Sequence, residues 1–338
     1  MKAIRDLSYP IYIEQDNVKT FQEVFSNHVN QSRAFVVTDD NVWTLHRQVF
    51  MEMTSNLLIE TIVVKPGEQS KSFEVFESLI QTLINKQIKR DDVIIAFGGG
   101  VIGDLAGFVA ASLFRGISLI HIPTTVLAQV DSSIGSKVGI NVSSGKNLVG
   151  AFKDPVFVYT FMPFLNTLTT REFNNGMAEV IKAGAIYDGS IIDDLQQKSF
   201  DMSILVKAIM VKVNVVKKDK YEHELRMILN FGHTLGHAIE KAHNYDVIKH
   251  GEAISLGMKY ALLLGEKYGI TDASTTKTLL SLFDKYNLLN HTLNDINSYI
   301  EFMKVDKKQR QDGLKFVFIE SIGKAVIRRL KEEDLYVN

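Results

Sequence analysis

The stretch "VIIAFGGGVIGDLAGFVAASLF", residues 93–114, limits the fold more than any other part of the chain. It is apolar enough to raise the question of a membrane span. Three consecutive glycines, Gly98 to Gly100, and Asp104 near its middle argue against that, because a lipid-facing helix tolerates neither well. A buried strand, a glycine-rich turn and a buried helix accommodate every residue.

The surrounding sequence repeats that alternation. "RAFVVTDDNV" (33–42) reads as a β-branched strand entering a polar turn, and "IETIVVKPGEQSKS" (59–72) as a second strand ending at Pro-Gly. "SFEVFESLIQTLINKQ" (72–87) has apolar residues at helical spacing, and "SLIHIPTT" (118–125) is another strand. Strands alternating with helices predict an α/β domain built on a doubly wound, Rossmann-like parallel sheet, assigned to 1–160. Past about residue 160 the character changes. "TTREFNNGMAEVIKAGAIYD", "MSILVKAIMVKVNVVKKDK", "RMILNFGHTLGHAIEKAH", "GEAISLGMKYALLLGEKYG" and "STTKTLLSLFDKYNLL" all read as helices, with a short strand at "LKFVFIE" (314–320). The expectation for 161–338 is therefore a mainly α-helical domain. A chain of 338 residues exceeds one ordinary core, and the cleft between two such domains is the expected ligand site.

Composition removes several function classes. The net charge of −1 gives no field that attracts nucleic acid or an anionic membrane. The lysine run "KVNVVKKDK" (212–220) lacks aromatic interleaving, and Lys217, Lys218 and Lys220 read as a solvated helix face. There is no cysteine, which excludes disulfides and thiolate ligands and fits a reducing compartment. "MKAIRDLSYP" carries no apolar segment of the secretion type, so a cytoplasmic location is expected.

Gly98, Gly100 and Gly103 match G-x-G-x-x-G between a strand and a helix, a setting in which amides at a helix N-terminus receive phosphate. No acid follows about 20 residues on, at 117–125, where a dinucleotide fingerprint has one. Phosphate binding and a tightly packed turn both remain open. Asp39 and Asn41, at the end of an earlier strand, offer a ribose partner or a plain turn. Glu68 and Lys71 lie on another such edge. Farther on, "LNFGHTLGHAIE" (229–240) sets His233 and His237 one helical turn apart, about 6 Å along the axis. Thr234 stands where a helix metalloprotease has its glutamate. Without cysteine, a tightly held transition metal has to use histidine and carboxylate. His233, His250 in "KHGEA" and Glu179 in "GMAEVIK" are candidates. Hydrogen-bonded core histidines and a solvated glutamate are the plain alternatives.

Six stretches taken together narrow this. "GGGVIGDLAGFVAASLFRG", "PTTVLAQVDSSIGSKVGIN", "GKNLVGAF", "REFNNGMAEVIKAG", "LNFGHTLGHAIE" and "HGEAISLGM" occur in this order. From about 36 to 325 the chain closely resembles the 3-dehydroquinate synthases, members of the sugar-phosphate cyclase superfamily. The resemblance implies conversion of 3-deoxy-D-arabino-heptulosonate 7-phosphate to 3-dehydroquinate and phosphate. The implied sequence is transient NAD-dependent oxidation, phosphate elimination, re-reduction, ring opening and aldol closure. It implies Zn²⁺, with Co²⁺ as an alternative, held by Glu179, His233 and His250, while His237 contacts substrate. Implied NAD contacts are Asp39, Asn41, Glu68, Lys71, Thr124, Thr125, Lys137 and Lys146, with Gly100, Val101, Ile102 and Gly103 at the pyrophosphate and Asp104 on the nicotinamide side. Implied substrate contacts are Lys137, Lys146, Asn147, Lys182, Lys212, Arg226, Asn230 and one of Lys307 and Lys308, Lys308 being the assignment carried forward. Asp131 matches a polar residue near the reacting hydroxyls. Arg115 matches an arginine that reaches the neighbouring subunit's site, which implies a homodimer. The expected partner is a small sugar phosphate, with no nucleic acid or membrane.

Three positions depart from the family pattern: Ser136 for a glycine, Val138 for a threonine and Thr169 for a proline. Two other readings share the scaffold. An inosose or valiolone synthase acts on a different sugar phosphate, and the carboxylate-fitting set Lys182, Lys212, Asn230 and "DKK" argues against it. A glycerol-type polyol dehydrogenase has Asp and His ligands and lacks the "GKNLVGAF" segment.

Overall fold

The computed structural model describes residues 1–30, 33–243, 247–291, 299, 303 and 314–336. The chain divides into two compact units, 1–169 and 170–338.

In the first unit, β-branched runs buried on both faces make the sheet. Its strands are β1 (Lys2–Ile4), β2 (Ile11–Glu14), β3 (Arg33–Asp39), β4 (Leu58–Val64), β5 (Val93–Gly98), β6 (Ser118–Pro123) and β9 (Phe157–Phe161), ordered β1-β2-β9-β6-β5-β3-β4. Only the β1–β2 pair is antiparallel. Between β6 and β9 the chain forms a separate antiparallel hairpin, β7 (Lys137–Val142) and β8 (Gly145–Phe152). The helices are α1 (Thr20–His28), α2 (Asp40–Met53), α3 (Phe73–Asn85) and α4 (Gly100–Ser112).

Successive strand side chains point to opposite faces, and the core follows that rule. Ala34, Val36, Ile95 and Phe97 join Phe21 and Phe25 of α1 and Phe50 and Met53 of α2 in one cluster. Phe35, Val37, Ile94 and Ala96 join Leu79 and Leu83 of α3 and Leu105 and Val109 of α4 in another. Helices therefore cover both faces, which is the doubly wound arrangement. Each fully buried Phe or Leu contributes about 1.5–3 kcal/mol, and Phe50 and Phe97 also stack with centroids 4.5 Å apart.

The chain leaves β3 toward β4 at one edge and leaves β5 toward β6 on the other side. The carboxyl ends of β3 and β5 therefore flank a topological switch point, the crevice where open α/β sheets bind ligands. Asp39 ends β3 and the glycine turn follows β5.

The second unit contains α5 (Thr170–Ile186), α6 (Ser190–Gln197), α7 (Met202–Lys218), α8 (His233–Ala242), α9 (His250–Lys267), α10 (Ala273–Lys285) and the hairpin β10 (Leu314–Ser321) with β11 (Lys324–Leu330). It is mainly helical. Asp201 and Asp272 cap α7 and α10 by accepting from the Ile204 and Thr275 amides at 3.0 and 2.7 Å. Apolar side chains on nearly every turn bury α9 almost completely.

One expected helix is broken. Across "RMILNFGHTLGHAIEKAH", residues 225–230 form a 3-10 turn, Phe231 is non-helical and α8 begins only at His233. Gly232 causes the break. Its φ is +80°, and an added Cβ would lie 2.6 Å from the Ile254 carbonyl oxygen of α9. Only glycine admits that turn at that approach. Among the described residues, no helix is long and apolar enough to cross a membrane.

Candidate active site

Three helices of the second unit converge on one cluster. Glu179 sits in the middle of α5, His233 is the first residue of α8 and His250 the first of α9. One ligand atom from each lies within 4.8 Å of the others. The α8–α9 approach permitted by Gly232 sets one side of this triangle. A 2.6 Å hydrogen bond from the Gly251 amide to Asn175 Oδ1 of α5 sets another. Glu252, one turn into α9, accepts from the Lys249 amide and from Arg171 Nε and Nη2 at 2.7–2.8 Å, which fixes the start of α9 against the start of α5.

The two carboxylate oxygens of Glu179 have different surroundings. Oε2 pairs with the ammonium of buried Lys182. Oε1 is buried, has no hydrogen-bond partner among the described residues, and faces His250 Nε2 at 3.6 Å and His233 Nε2 at 4.0 Å. A buried carboxylate oxygen without a donor is costly, and a cation among these three atoms would satisfy it. The donor set of two imidazoles and one carboxylate, leaving a position open, suits a catalytic divalent metal.

The electrostatics fit as well. Burial opposes ionisation of Glu179, yet Lys182 and His250 outweigh it and hold its carboxyl down at about 2. Burial also opposes charge on His250, but Glu179 and Glu240 reverse the balance and raise it to about 9. His233 is depressed well below the ordinary value by burial, with Lys182, His237 and His250 adding repulsion.

The i,i+4 pair that the sequence offers is thus only half of the cluster. The His233 and His237 rings lie 5.1 Å apart edge to face, and His237 stands 6.4 Å from His250. Arg226 is buried and donates to the Lys220 carbonyl, while Asp219 accepts the amides of His223, Glu224 and Arg226 and shapes that loop. Asn230 donates to Glu222 at 2.8 Å. Lys212 is half-buried on α7, while Lys217 and Lys218 are exposed. Lys307 and Lys308 lie outside the described residues.

In the first unit Asp39, Asn41, the glycine turn and the Glu68–Lys71–Asp104 group gather around the switch point, while Arg115 precedes β6 at the opposite, amino end of the strands. Asp39 Oδ1 caps α2 through the Val42 amide at 3.0 Å, and burial raises its carboxyl. It serves as a turn residue and stands at the carboxyl end of β3. Asn41 lies in the first turn of α2. The amides of Gly100, Val101 and Ile102 open α4 and lack intrahelical acceptors by helix geometry. The Gly103 amide already bonds the Gly99 carbonyl at 3.0 Å, so the amides left without a helical acceptor stop at Ile102. Gly98 is needed for packing, since a Cβ there would lie 2.8 Å from Ile102 Cβ. Thr125 Oγ1 caps the following turn at the Ala128 amide, and Thr124 Oγ1 is buried with no partner among the described residues. An orphan hydroxyl beside open helix amides fits a polar ligand such as a dinucleotide.

Lys71 is buried between three elements, 2.7 Å from Asp104 Oδ2, 3.6 Å from Glu68 Oε1 and 2.5 Å from Asn147 Oδ1. Burial works against its charge, but Asp104 and Glu68 prevail and raise it above the ordinary value. Sequence reasoning missed Asn141, which donates to Glu68 at 2.8 Å and accepts from the Asn147 amide at 2.9 Å. It sits in the hairpin that carries Lys137, which is exposed, and half-buried Lys146. Asp131 occupies a π-helical turn, Ala128–Ser132. Arg115 is exposed on a turn in which Phe114, Arg115 and Gly116 all have positive φ, 52°, 67° and 125°.

Two of the three departures have local explanations. Ser136 keeps the left-handed backbone a glycine favours, φ 64°, and its hydroxyl donates to Asp154 at 2.5 Å. Val138 is buried against Gly107 of α4, where methyl groups fill the space left by the missing side chain. Nothing in the structure explains Thr169.

Comparison with known proteins places these features. Residues 61–175 match the family model for the 3-dehydroquinate synthase N-terminal region, and 176–309 match that for the C-terminal region. The 3-dehydroquinate synthase of Thermoanaerobacter pseudethanolicus is 39% identical over 98% of this chain and 97% of its own. A solved 2-deoxy-scyllo-inosose synthase, complexed with carbaglucose-6-phosphate, NAD+ and Co2+, superposes with a TM-score of 0.85 at 26% identity over 99% of this chain and 97% of its own. The valiolone synthase ValA from Streptomyces hygroscopicus, with NAD+ and Zn2+ bound, shares the fold at TM-score 0.86 and 21% identity, over 99% and 96% of the two chains. Two family models that meet without a gap, and a relative matched along nearly its whole length, lead to one assignment: this chain belongs to the 3-dehydroquinate synthase family.

Proposed function

We propose that the chain converts 3-deoxy-D-arabino-heptulosonate 7-phosphate to 3-dehydroquinate and phosphate, acting as a carbon–oxygen lyase. One observation carries the chemical part of this reading. Glu179 Oε1, buried without a donor, is aimed at two imidazole Nε2 atoms in a chain similar to 3-dehydroquinate synthases from end to end. A bound Zn²⁺ or Co²⁺ supplies Lewis-acid polarisation of substrate hydroxyl oxygens. Bound NAD supplies reversible hydride removal at C5, which acidifies the neighbouring C6–H.

The protein's own residues set up that chemistry. Lys182 neutralises Glu179 Oε2 and so leaves Oε1 for the metal. His237, one turn from His233, holds or moves a proton at a substrate oxygen. Arg226, Lys212, Asn230 and Lys308 provide cationic and amide contacts for the substrate's carboxylate and phosphate. In the first unit, the Gly100–Ile102 amides receive the pyrophosphate of NAD. Lys71 fixes Asp104 on the nicotinamide side, and Asp39, Asn41, Glu68, Thr124 and Thr125 line the same edge. Lys137, Lys146, Asn147 and Asp131 complete the polar set. The chain works as a cytoplasmic homodimer in which Arg115 reaches the phosphate held by a second copy. Its exposure on a turn of consecutive left-handed residues supports that role, since such strain concentrates at functional positions. A solution mass of one chain by light scattering at assay concentration would remove the dimer.

The test of the reaction follows two products at once. With Zn²⁺, catalytic NAD and the heptulosonate phosphate, inorganic phosphate is released while NADH does not accumulate, and a chelator stops the release until zinc is restored. NADH accumulating without phosphate would replace this reading with a polyol dehydrogenase.

A further inference from the structure

We infer that Glu240 is a positioning residue for the metal: it holds the Nδ1 edge of His250 and so presents Nε2 to the ion. The inference rests on the reading of Glu179, His233 and His250 as metal ligands. His233, His237 and Glu240 stand at i, i+4 and i+7 of α8, so one helix face carries all three. Glu240 is buried, and its Oε1 lies 3.4 Å from His250 Nδ1. The opposite nitrogen, Nε2, faces Glu179 Oε1 at 3.6 Å. The imidazole is thus held edge to edge between two buried carboxylates, one on each ring nitrogen.

The chemistry assigns them different parts. Neutral imidazole has one N–H and one lone pair, and the group that accepts from one nitrogen decides which nitrogen can ligate. A carboxylate accepts and cannot donate; with a cation seated between Glu179 and Nε2, the ring's remaining proton sits on Nδ1, where Glu240 accepts it. His233 is treated in parallel by a different device. Its Nδ1 lies 3.2 Å from the Phe231 carbonyl oxygen, which also only accepts, and its Nε2 faces Glu179. Both imidazoles are therefore set to ligate through Nε2. His233 is oriented by the backbone break before α8, and His250 by a side chain from the neighbouring helix. Only the second device can be removed by substitution. Partners of this kind around metal-bound histidine raise ligand basicity and fix ring orientation.

The experiment measures Zn²⁺ affinity by competition with a chromophoric chelator, on full-length protein first stripped of metal. It compares wild type, Glu240→Ala and Glu240→Gln, and the Co²⁺-loaded forms are compared by their visible absorption. Glu240→Ala is expected to weaken zinc binding roughly 10–100-fold and to alter the Co²⁺ spectrum. Glu240→Gln, whose amide oxygen can still accept from Nδ1 but whose NH₂ can also donate, is expected to fall between. The unfolding midpoint of each metal-free protein separates misfolding from lost ligation. If the alanine variant lacks a thermal transition, the glutamine variant decides: several-fold weaker zinc binding supports the inference, and wild-type affinity overturns it. Wild-type affinity and an unchanged Co²⁺ spectrum in both folded variants also overturn it. Wild-type protein that binds no zinc would instead bring down the metal reading itself, a result distinct from equal binding by all three.

Discussion

Glu179→Gln is expected to abolish tight zinc binding and to lower turnover by about 10³-fold, since Lewis-acid stabilisation is worth several kcal/mol and each ~1.4 kcal/mol is tenfold. The substitution has a second effect that the ligand role alone does not foresee. Glu179 Oε2 is the ion-pair partner of Lys182, and both side chains are buried. Removing one member of a buried pair strands the other, at a cost of about 3–5 kcal/mol. The metal-free Glu179→Gln protein is therefore expected to unfold at lower temperature than metal-free wild type. Adding Lys182→Met removes the stranded charge and is expected to restore the midpoint without restoring zinc affinity. Calorimetry on the metal-free proteins and chelator competition on the same samples read the two effects apart. Undiminished zinc affinity in Glu179→Gln would take Glu179 out of the ligand set.

Gly232→Ala is expected to damage the same site without touching a ligand. Alanine at φ +80° costs about 1–2 kcal/mol. Its methyl group would also lie 2.5 Å from Met258 Cγ and 2.6 Å from the Ile254 carbonyl oxygen. Overpacking of that kind adds about 1–3 kcal/mol. The combined loss of about 2–5 kcal/mol corresponds to a fall of roughly 5–20 °C in unfolding midpoint for a unit of this size. Relief by separating α8 from α9 would move His233 away from His250, so zinc affinity is expected to drop although all three ligands remain. A variant with wild-type midpoint and wild-type zinc affinity would show that the helix approach does not depend on this glycine.

Four strands of the sheet, β3 to β6, were legible in the sequence, and the central ones most plainly, because burial on both faces writes continuous β-branched runs such as "RAFVVTD" and "DDVIIAFG" into the chain. The helices α3 and α4 and the long helices of the second unit were legible from their apolar spacing. Elements whose signal is short or interrupted were not. The strands β1, β2, β9 and β11 and the helices α1, α2 and α6 went unread. The pairing of "GKNLVGAF" with the strand before it depends on a hairpin outside the main sheet. The break before α8 was hidden because apolar spacing runs on through Phe231. At the site, periodicity could offer His233 and His237, which are neighbours on one helix. Local spacing carries no information about which helices pack together, so Glu179 and His250 stood only as candidates beside plain core readings until the resemblance grouped them with His233. Asn141 was missed because its contacts with Glu68 and Asn147 exist only once the hairpin has folded.

Glu179, His233 and His250 come from well-separated parts of the chain and from three different helices. An ion bound by all three would thus be a reversible cross-link among three helices of the second unit. A ligand that binds only the folded state adds stability of RT ln(1 + [L]/Kd), about 4 kcal/mol when present at a thousand times its Kd. If the proposed ion is bound, persistence of the helical unit would be tied to metal supply. On the proposed metal reading, a zinc-free chain would lose turnover and folded stability together, and would become the better substrate for proteases.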